Sequence, residues 1–280
     1  MRYWSDPRSR RWLIWGVLAV AFLLVNFYRL STAVLADRLM AAFDATGVEL
    51  GTLHAAFFYV YAVLQLPAGA LVDRLGTRFT AAGGLVVMNL GAVVFAASAG
   101  YSPAFVGRAL IGLGGSVIFI AVLRHGANWF RPTEFATMNG LTIAMAGLGG
   151  LLATTPLALA VAEVGWRTTF VGLAGVGMVV ALVVAVVVRD TPASAGLPEI
   201  PGVGPTPNRS LPEVAASARR VLREPETWAL GVVLFCGTGV SVTVLGLWGI
   251  PYLVQTYGLS VTAASTYTLL GSLGLLVGPP

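Results

Sequence analysis

The sequence predicts an all-α integral membrane protein of eight crossings, arranged as one complete six-helix bundle followed by the opening of a second. Three observations carry this. The 280 residues are 57% hydrophobic and only 10% charged, with mean hydropathy +0.83, whereas soluble domains carry about 25% charged residues. The apolar residues fall into runs of about twenty or more, the length that crosses ~30 Å of hydrocarbon at ~1.5 Å per residue. Charge is confined largely to the connections between runs, and arginine is concentrated in every second connection.

Residues 1–11 form a short basic tail with Arg8, Arg10 and Arg11. The first span runs from Trp12 to about Val34, too long for a signal-peptide core and lacking a small-residue cleavage site. Asp37, Arg38, Asp44 and Glu49 follow in a mixed-charge loop. The second span covers about Gly51 to Val72 and the third Phe79 to about Ala99, with Tyr101-Ser102-Pro103 as an uncharged turn. Ala104 to Leu123 is the fourth, closed by Arg124, His125, Trp129 and Arg131. The fifth runs from about Phe135 to Val161, and Gly165-Trp166-Arg167 turns into a sixth that stops at Arg189-Asp190-Thr191-Pro192.

Residues 12–188 therefore form one six-span bundle, and 189–226 a central loop holding seven prolines. Residues 227–280 begin a second bundle, with Trp228 to Leu253 as span 7 and Val261 onward opening span 8. Within the loop, Leu211 to Arg223 has the period of an amphipathic helix, with Leu211, Val214, Ala218 and Val221 on one face. It is suited either to the membrane surface or to a solvated linker. The arginines of the tail, the 73–78 loop, the 124–131 loop and the 189–226 segment place all four in the cytoplasm by the positive-inside rule. The chain stops at Gly278-Pro279-Pro280 inside an apolar run, so the expectation is a longer protein in which a weaker copy of the loop described next follows Pro280.

Composition also excludes classes. The net charge of +5 comes from loops on one side, so it reports topology and not nucleic-acid binding. Cys236 is the one cysteine and lies in an apolar run, which leaves no disulfide framework or metal site. No nucleotide-binding loop and no nucleophile–base pair is present. The chain is expected to be no enzyme and to need no cofactor.

Between spans 2 and 3 stands Gly69-Ala70-Leu71-Val72-Asp73-Arg74-Leu75-Gly76-Thr77-Arg78. Its spacing, G-x-L-x-D-R-x-G-x-R, resembles the signature loop of the major facilitator superfamily of secondary transporters. Arg108-Ala109-Leu110-Ile111-Gly112-Leu113-Gly114-Gly115 is similar to that superfamily's R-x-x-x-G-x-G-G motif in helix 4, and Gly165-Trp166-Arg167-Thr168-Thr169-Phe170 to the turn before helix 6. Thr77 departs from the pattern, since many members carry a basic residue there. In span 5 the run Gly147-Leu148-Gly149-Gly150 is separated from Pro156, so an antiporter assignment has no support there.

The resemblance implies a bacterial inner-membrane permease, monomeric, with its N-terminus in the cytoplasm. It implies alternating access and a switch made of Gly69, Asp73, Arg74, Gly76 and Arg78. Within the superfamily the chain is similar to the organophosphate/phosphate antiporters and their hexuronate and nitrate relatives. Those relatives imply a small anionic substrate coupled to a proton or counter-anion. A sensor that binds ligand without moving it, and an inactive partial chain, are the alternatives.

Arg29 is the most informative single residue. It lies inside span 1, where a charge costs at least ~2.5–3.5 kcal/mol on insertion scales. Asn26, Arg29 and Thr32 share one helix face, with Tyr28 beside them. The resemblance implies that Arg29 contacts the anion; a structural ion pair or a snorkelling side chain is the other reading. Arg108 is the second cation within a span, suited to the substrate or to packing between helices. Span 2 places His54, Tyr61 and Gln65 on one face, a polar strip in which His54 is a proton-relay candidate. Tyr59 and Trp248 are further candidate cavity aromatics. No Asp or Glu occupies the middle of a span, and two buried arginines without carboxylates favour an anion.

Overall fold

The computed structural model describes residues 6–203 and 211–277. Among them, seven helical stretches are long and apolar enough to cross a membrane. The order is α1 (Pro7–Leu30), α2 (Thr32–Phe43), α3 (Gly47–Ala97), α4 (Tyr101–Gly115), α5 (Ile118–Trp129), α6 (Pro132–Leu152), α7 (Thr155–Val164), α8 (Trp166–Val187), α9 (Leu211–Val221), α10 (Pro225–Thr243), a π-helical segment (Val244–Trp248), α11 (Gly249–Tyr257) and α12 (Val261–Val277). Helix α12, 17 residues long, stands where the eighth crossing is expected. Gly278-Pro279-Pro280, after which the second copy of the motif is expected, lie outside the described residues, as do residues 1–5.

Several boundaries differ from the sequence reading, because the helices extend past the apolar runs: Tyr101-Ser102-Pro103, expected as a turn, opens α4, and Arg124, His125 and Trp129, expected to close span 4, lie within α5. Asp6 caps α1 by accepting from the Arg8 amide at 3.0 Å, and Pro7 fills the first position. Proline there costs nothing, because that N–H has no helical partner. Half of the expected basic tail is therefore helix, and buried Arg11 pairs bidentately with Glu134 at 2.7 and 2.8 Å. The expected mixed-charge loop after span 1 is likewise mostly helical. Asp37 and Arg38 lie in α2, and Thr46 with Glu49 forms a capping box that starts α3 at Gly47. Only residues 44–46 remain outside helices.

The spans pack chiefly as α3 on α4, α3 on α8 and α1 on α6. Helix α8 shows how an all-apolar helix is oriented in a bilayer. Phe170, Ala174, Gly177, Ala181 and Val184, at steps of three and four, are buried, while Val171, Val176, Val179, Leu182 and Val186 are exposed. Lipid tails are as apolar as leucine, so shape and small residues decide which face turns inward. Gly112 of the R-x-x-x-G-x-G-G run is one such position. A Cβ there would stand 2.5 Å from the carbonyl oxygen of Phe57 and 3.0 Å from its Cα, so α4 lies directly on the backbone of span 2.

Four spans are interrupted. Span 1 breaks at Ser31, span 4 between Gly115 and Ile118, span 5 at Ala153-Thr154, and span 7 relaxes into the π segment. Broken helices within a membrane occur where neighbouring groups satisfy the freed backbone or where a cavity is lined. Ser31 does the first, its hydroxyl donating to the Tyr28 carbonyl at 3.0 Å.

Candidate functional site

The breaks in spans 1, 5 and 7 converge on one cavity. It has a volume of about 540 Å³. Asn26, Arg29 and Leu30 of α1 form one wall, immediately before the break at Ser31. Gly147 and Gly150 of α6 lie on a second, a few residues before the break at Ala153-Thr154. Thr238 and Ser241 of α10, with Leu245 of the π segment, belong to the third. Helix α10 is exposed over most of its length from Pro225 to Val240 among the described residues, and the chain is buried again at Leu247, Ile250 and Pro251.

Among the described residues, Arg29 is the only charged residue on this cavity's lining. Its Nε is buried with no hydrogen-bond partner, and its guanidinium lies 5.2 Å from the centre of the Phe58 ring. Among the described residues it forms no ion pair. A guanidinium buried this way carries a desolvation cost that no ion pair among the described residues offsets.

Other sequence candidates gather behind it. Arg108 is fully buried, donates from Nη1 to the Tyr28 carbonyl at 2.8 Å, and leaves Nε and Nη2 without partners. It faces the Phe57 ring at 5.6 Å, and Phe57 contacts Phe58 at 5.3 Å and stacks on Tyr61 at 5.5 Å. His54 packs on Phe58 at 5.1 Å, is buried with both ring nitrogens unpartnered, and lies within electrostatic reach of Arg108 and Arg29. Gln65 lies beside Tyr61. Arg29, Arg108, His54 and Tyr61 thus surround the Phe57–Phe58 pair, which the sequence reading did not single out.

The other candidates are placed differently. Tyr28 is fully buried away from the cavity, and its hydroxyl donates to Asn89 Oδ1 at 3.3 Å, holding α1 to the third span. Asn26 lines the cavity while its amide donates to the Phe22 carbonyl at 3.0 Å. Tyr59 is exposed, and the Trp248 ring reaches Gly47 at the start of α3. Arg108, Tyr61, Gln65 and His54 do not line the cavity. Thr238 and Ser241 do, and sequence reasoning passed over them because isolated hydroxyls are ordinary in membrane helices.

At the opposite end of span 2 the motif residues form a second constellation. Helix α3 is broken only at Gly76, whose φ of 79° and ψ of 167° require glycine. A Cβ there would also stand 2.7 Å from both carboxylate oxygens of Asp190. That carboxylate accepts from the Arg78 amide at 3.1 Å, so it caps the helix that restarts after Gly76. Arg78 Nε donates to the Ala185 carbonyl at 2.6 Å, and Asp73 forms an ion pair with Arg124 at the end of span 4. Arg74 is exposed. Among the described residues Gly69 meets nothing within 4 Å, and the turn is made by Gly76. Asn128 and Trp129 donate to the carbonyls of Asp190 and Arg189, both at 3.1 Å. Spans 2, 3, 4 and 6 are thereby tied together at one end of the bundle.

The family profile of the Major Facilitator Superfamily matches residues 4–280. The chain belongs to the Major Facilitator Superfamily. Among curated superfamily proteins it is 27% identical over 278 residues to the probable sulfoacetate transporter SauU of Cupriavidus necator, covering 96% of this chain and 63% of that protein. It is 24% identical over 298 residues to the membrane sensor protein UhpC of Escherichia coli, covering 99% of this chain and 65% of UhpC. The chain thus spans less than two thirds of the length of these relatives. Of solved structures, a bacterial homologue of the human lysosomal transporter Spinster, inward-facing and unoccupied, shares the fold. Its TM-score is 0.72 at 18% identity, covering 94% of this chain and 60% of that one.

Proposed function

We propose that this chain carries the substrate-anchoring half of a secondary transporter for a small anion, working by alternating access as a monomer in a bacterial inner membrane. The reading rests on one observation: Arg29 enters the cavity with an unpartnered, buried Nε and no acidic neighbour among the described residues. A transported cation would need a carboxylate at this depth, whereas an anion completes the guanidinium's hydrogen bonds. Arg108 and His54 stand behind the site as the groups for coupling, with His54 carrying a proton if the coupling ion is one. Gly76, Asp73, Arg78 and Asp190 form the closure that must separate when the cavity changes sides. On this reading the protein acts as a carrier and not as an enzyme, as its membership of a transporter superfamily supports.

Similarity to the sensor UhpC supports a second reading, in which the anion binds but does not cross. Proteoliposome flux separates the two. Uptake of labelled organic anion by the complete protein supports transport; saturable binding with no flux supports the sensor and overturns transport.

Orientation is a separate proposal, resting on the arginines near Asp73, Arg124 and Arg189. A cysteine replacing exposed Ser194, in a Cys236→Ser background, is expected to react with maleimide only after the inner face is opened. Labelling in intact cells by an impermeant reagent would reverse the orientation.

A further inference from the structure

By sequence α9 suits either the membrane surface or a solvated linker, and its joint with span 7 decides between them. Helix α9 ends at Val221, and α10, long and apolar enough to cross the membrane, begins at Pro225. Four Cα steps of ~3.8 Å cannot carry that end more than ~15 Å from the start of the span. Hydrogen bonds also close the joint. The amides of Arg223, Glu224 and Thr227 donate to the carbonyls of Arg220, Val221 and Glu224 at 3.0, 3.2 and 3.1 Å. Trp228 Nε1 donates to the Leu222 carbonyl at 2.9 Å. Trp228 stands in the first turn of the span, so it ties the end of α9 to the level where tryptophan anchors a helix between lipid and water.

Two kinds of side chain meet at this joint. Arg219, Arg220 and Arg223 line one hollow with Ala216 and Glu224, three cations against one anion. Glu213 near the start of α9 and Glu226 in the first turn of α10 do not line it. Val221, Leu222 and Trp228, in the same few turns, are exposed apolar residues. We infer that α9 is an interfacial helix whose C-terminal end binds an anionic phospholipid. The arginines take the phosphodiester, whose oxygens match their planar forks. Val221, Leu222 and Trp228 lie against the upper part of the acyl chains. Residues 216–224 build the hollow by themselves, so its lining needs no other part of the protein. This surface is independent of Arg29 and of the anion reading above.

The test is thermal stabilisation of the complete protein, purified in a neutral detergent, by phosphatidylglycerol and by phosphatidylcholine of the same chain length. Wild type is expected to respond to phosphatidylglycerol at concentrations at least ~10-fold lower than to phosphatidylcholine. High salt should shrink that preference. Changing Arg219, Arg220 and Arg223 together to Gln should abolish it, while changing all three to Lys should keep most of it, and Glu224→Gln should sharpen it. An equal response to the two lipids overturns the inference. A preference left intact by the triple Gln variant overturns it as well, since the lipid then binds elsewhere. A second measurement reads the position of the helix. A fluorophore on Ser217→Cys, with the other cysteines replaced, is expected to be quenched in vesicles by phosphatidylglycerol spin-labelled at the headgroup. No quenching there would mean that α9 stands off in water or lies covered by protein, and the inference would fall.

Discussion

Arg29→Gln is expected to cut anion uptake by at least ~30-fold, while the protein stays folded. The magnitude follows from the chemistry of the pair. Truncating one partner of a desolvated, charge-assisted hydrogen bond costs ~2–5 kcal/mol, and each ~1.4 kcal/mol is a factor of ten. Stability should move the other way. The free guanidinium is buried with its Nε unpartnered, so a neutral amide of similar reach removes a desolvation cost and leaves the melting temperature equal or higher. That opposition is what marks a ligand-binding residue, because a structural arginine would lose both together. Arg29→Lys should restore uptake only in part, since an ammonium lacks the planar fork that grips an oxyanion. Uptake at the wild-type rate in Arg29→Gln would remove this residue from the site.

Asp73→Asn is expected to slow transport by at least ~10-fold and to leave ligand affinity within about twofold. Asp73 belongs to the motif end of the bundle, paired with Arg124, and lines no part of the cavity. Losing the charge weakens one closed arrangement relative to its alternative and shifts the population between them. A partly exposed pair of this kind contributes modestly to stability, so the effect should appear in rate and not in folding. The charge-swapped variant Asp73→Arg with Arg124→Asp should recover part of the rate, as a pair that acts by attraction requires. Full transport in Asp73→Asn would end the switch role, and complete loss of binding would move Asp73 into the ligand site.

Much of this architecture was legible in advance, and the residues explain why. Runs of about twenty apolar residues admit one solution in a bilayer, because every backbone N–H and C=O must be paired within the segment. Arg29 stood out for the same reason, since a charge inside such a run is costly enough to require a function. Gly76 stood out because it follows Asp73-Arg74 at a turn, and the structure gives it the positive φ that only glycine takes freely. The helix ends were less legible: Asp6 and the Thr46–Glu49 box extend α1 and α3 through charged residues that look like loop.

The site was legible only on one wall. Sequence alone determined that the chain crosses the membrane, that charge gathers between the crossings, and that Arg29 and Arg108 are cations within spans. Tertiary structure decided what each one faces. Arg108 turned out to donate to the carbonyl of Tyr28, and Tyr28 to Asn89, pairings between residues 80 and 61 positions apart that no local pattern encodes. It also decided that Thr238 and Ser241 line the same cavity as Arg29 and that Asp190 caps the helix beginning after Gly76. The physical reason is that hydrophobicity sorts residues into the bilayer but does not rank one apolar face over another. Within the membrane, the faces that meet are chosen by close packing at glycines and by the few polar groups that find partners, and both are properties of neighbours distant in sequence.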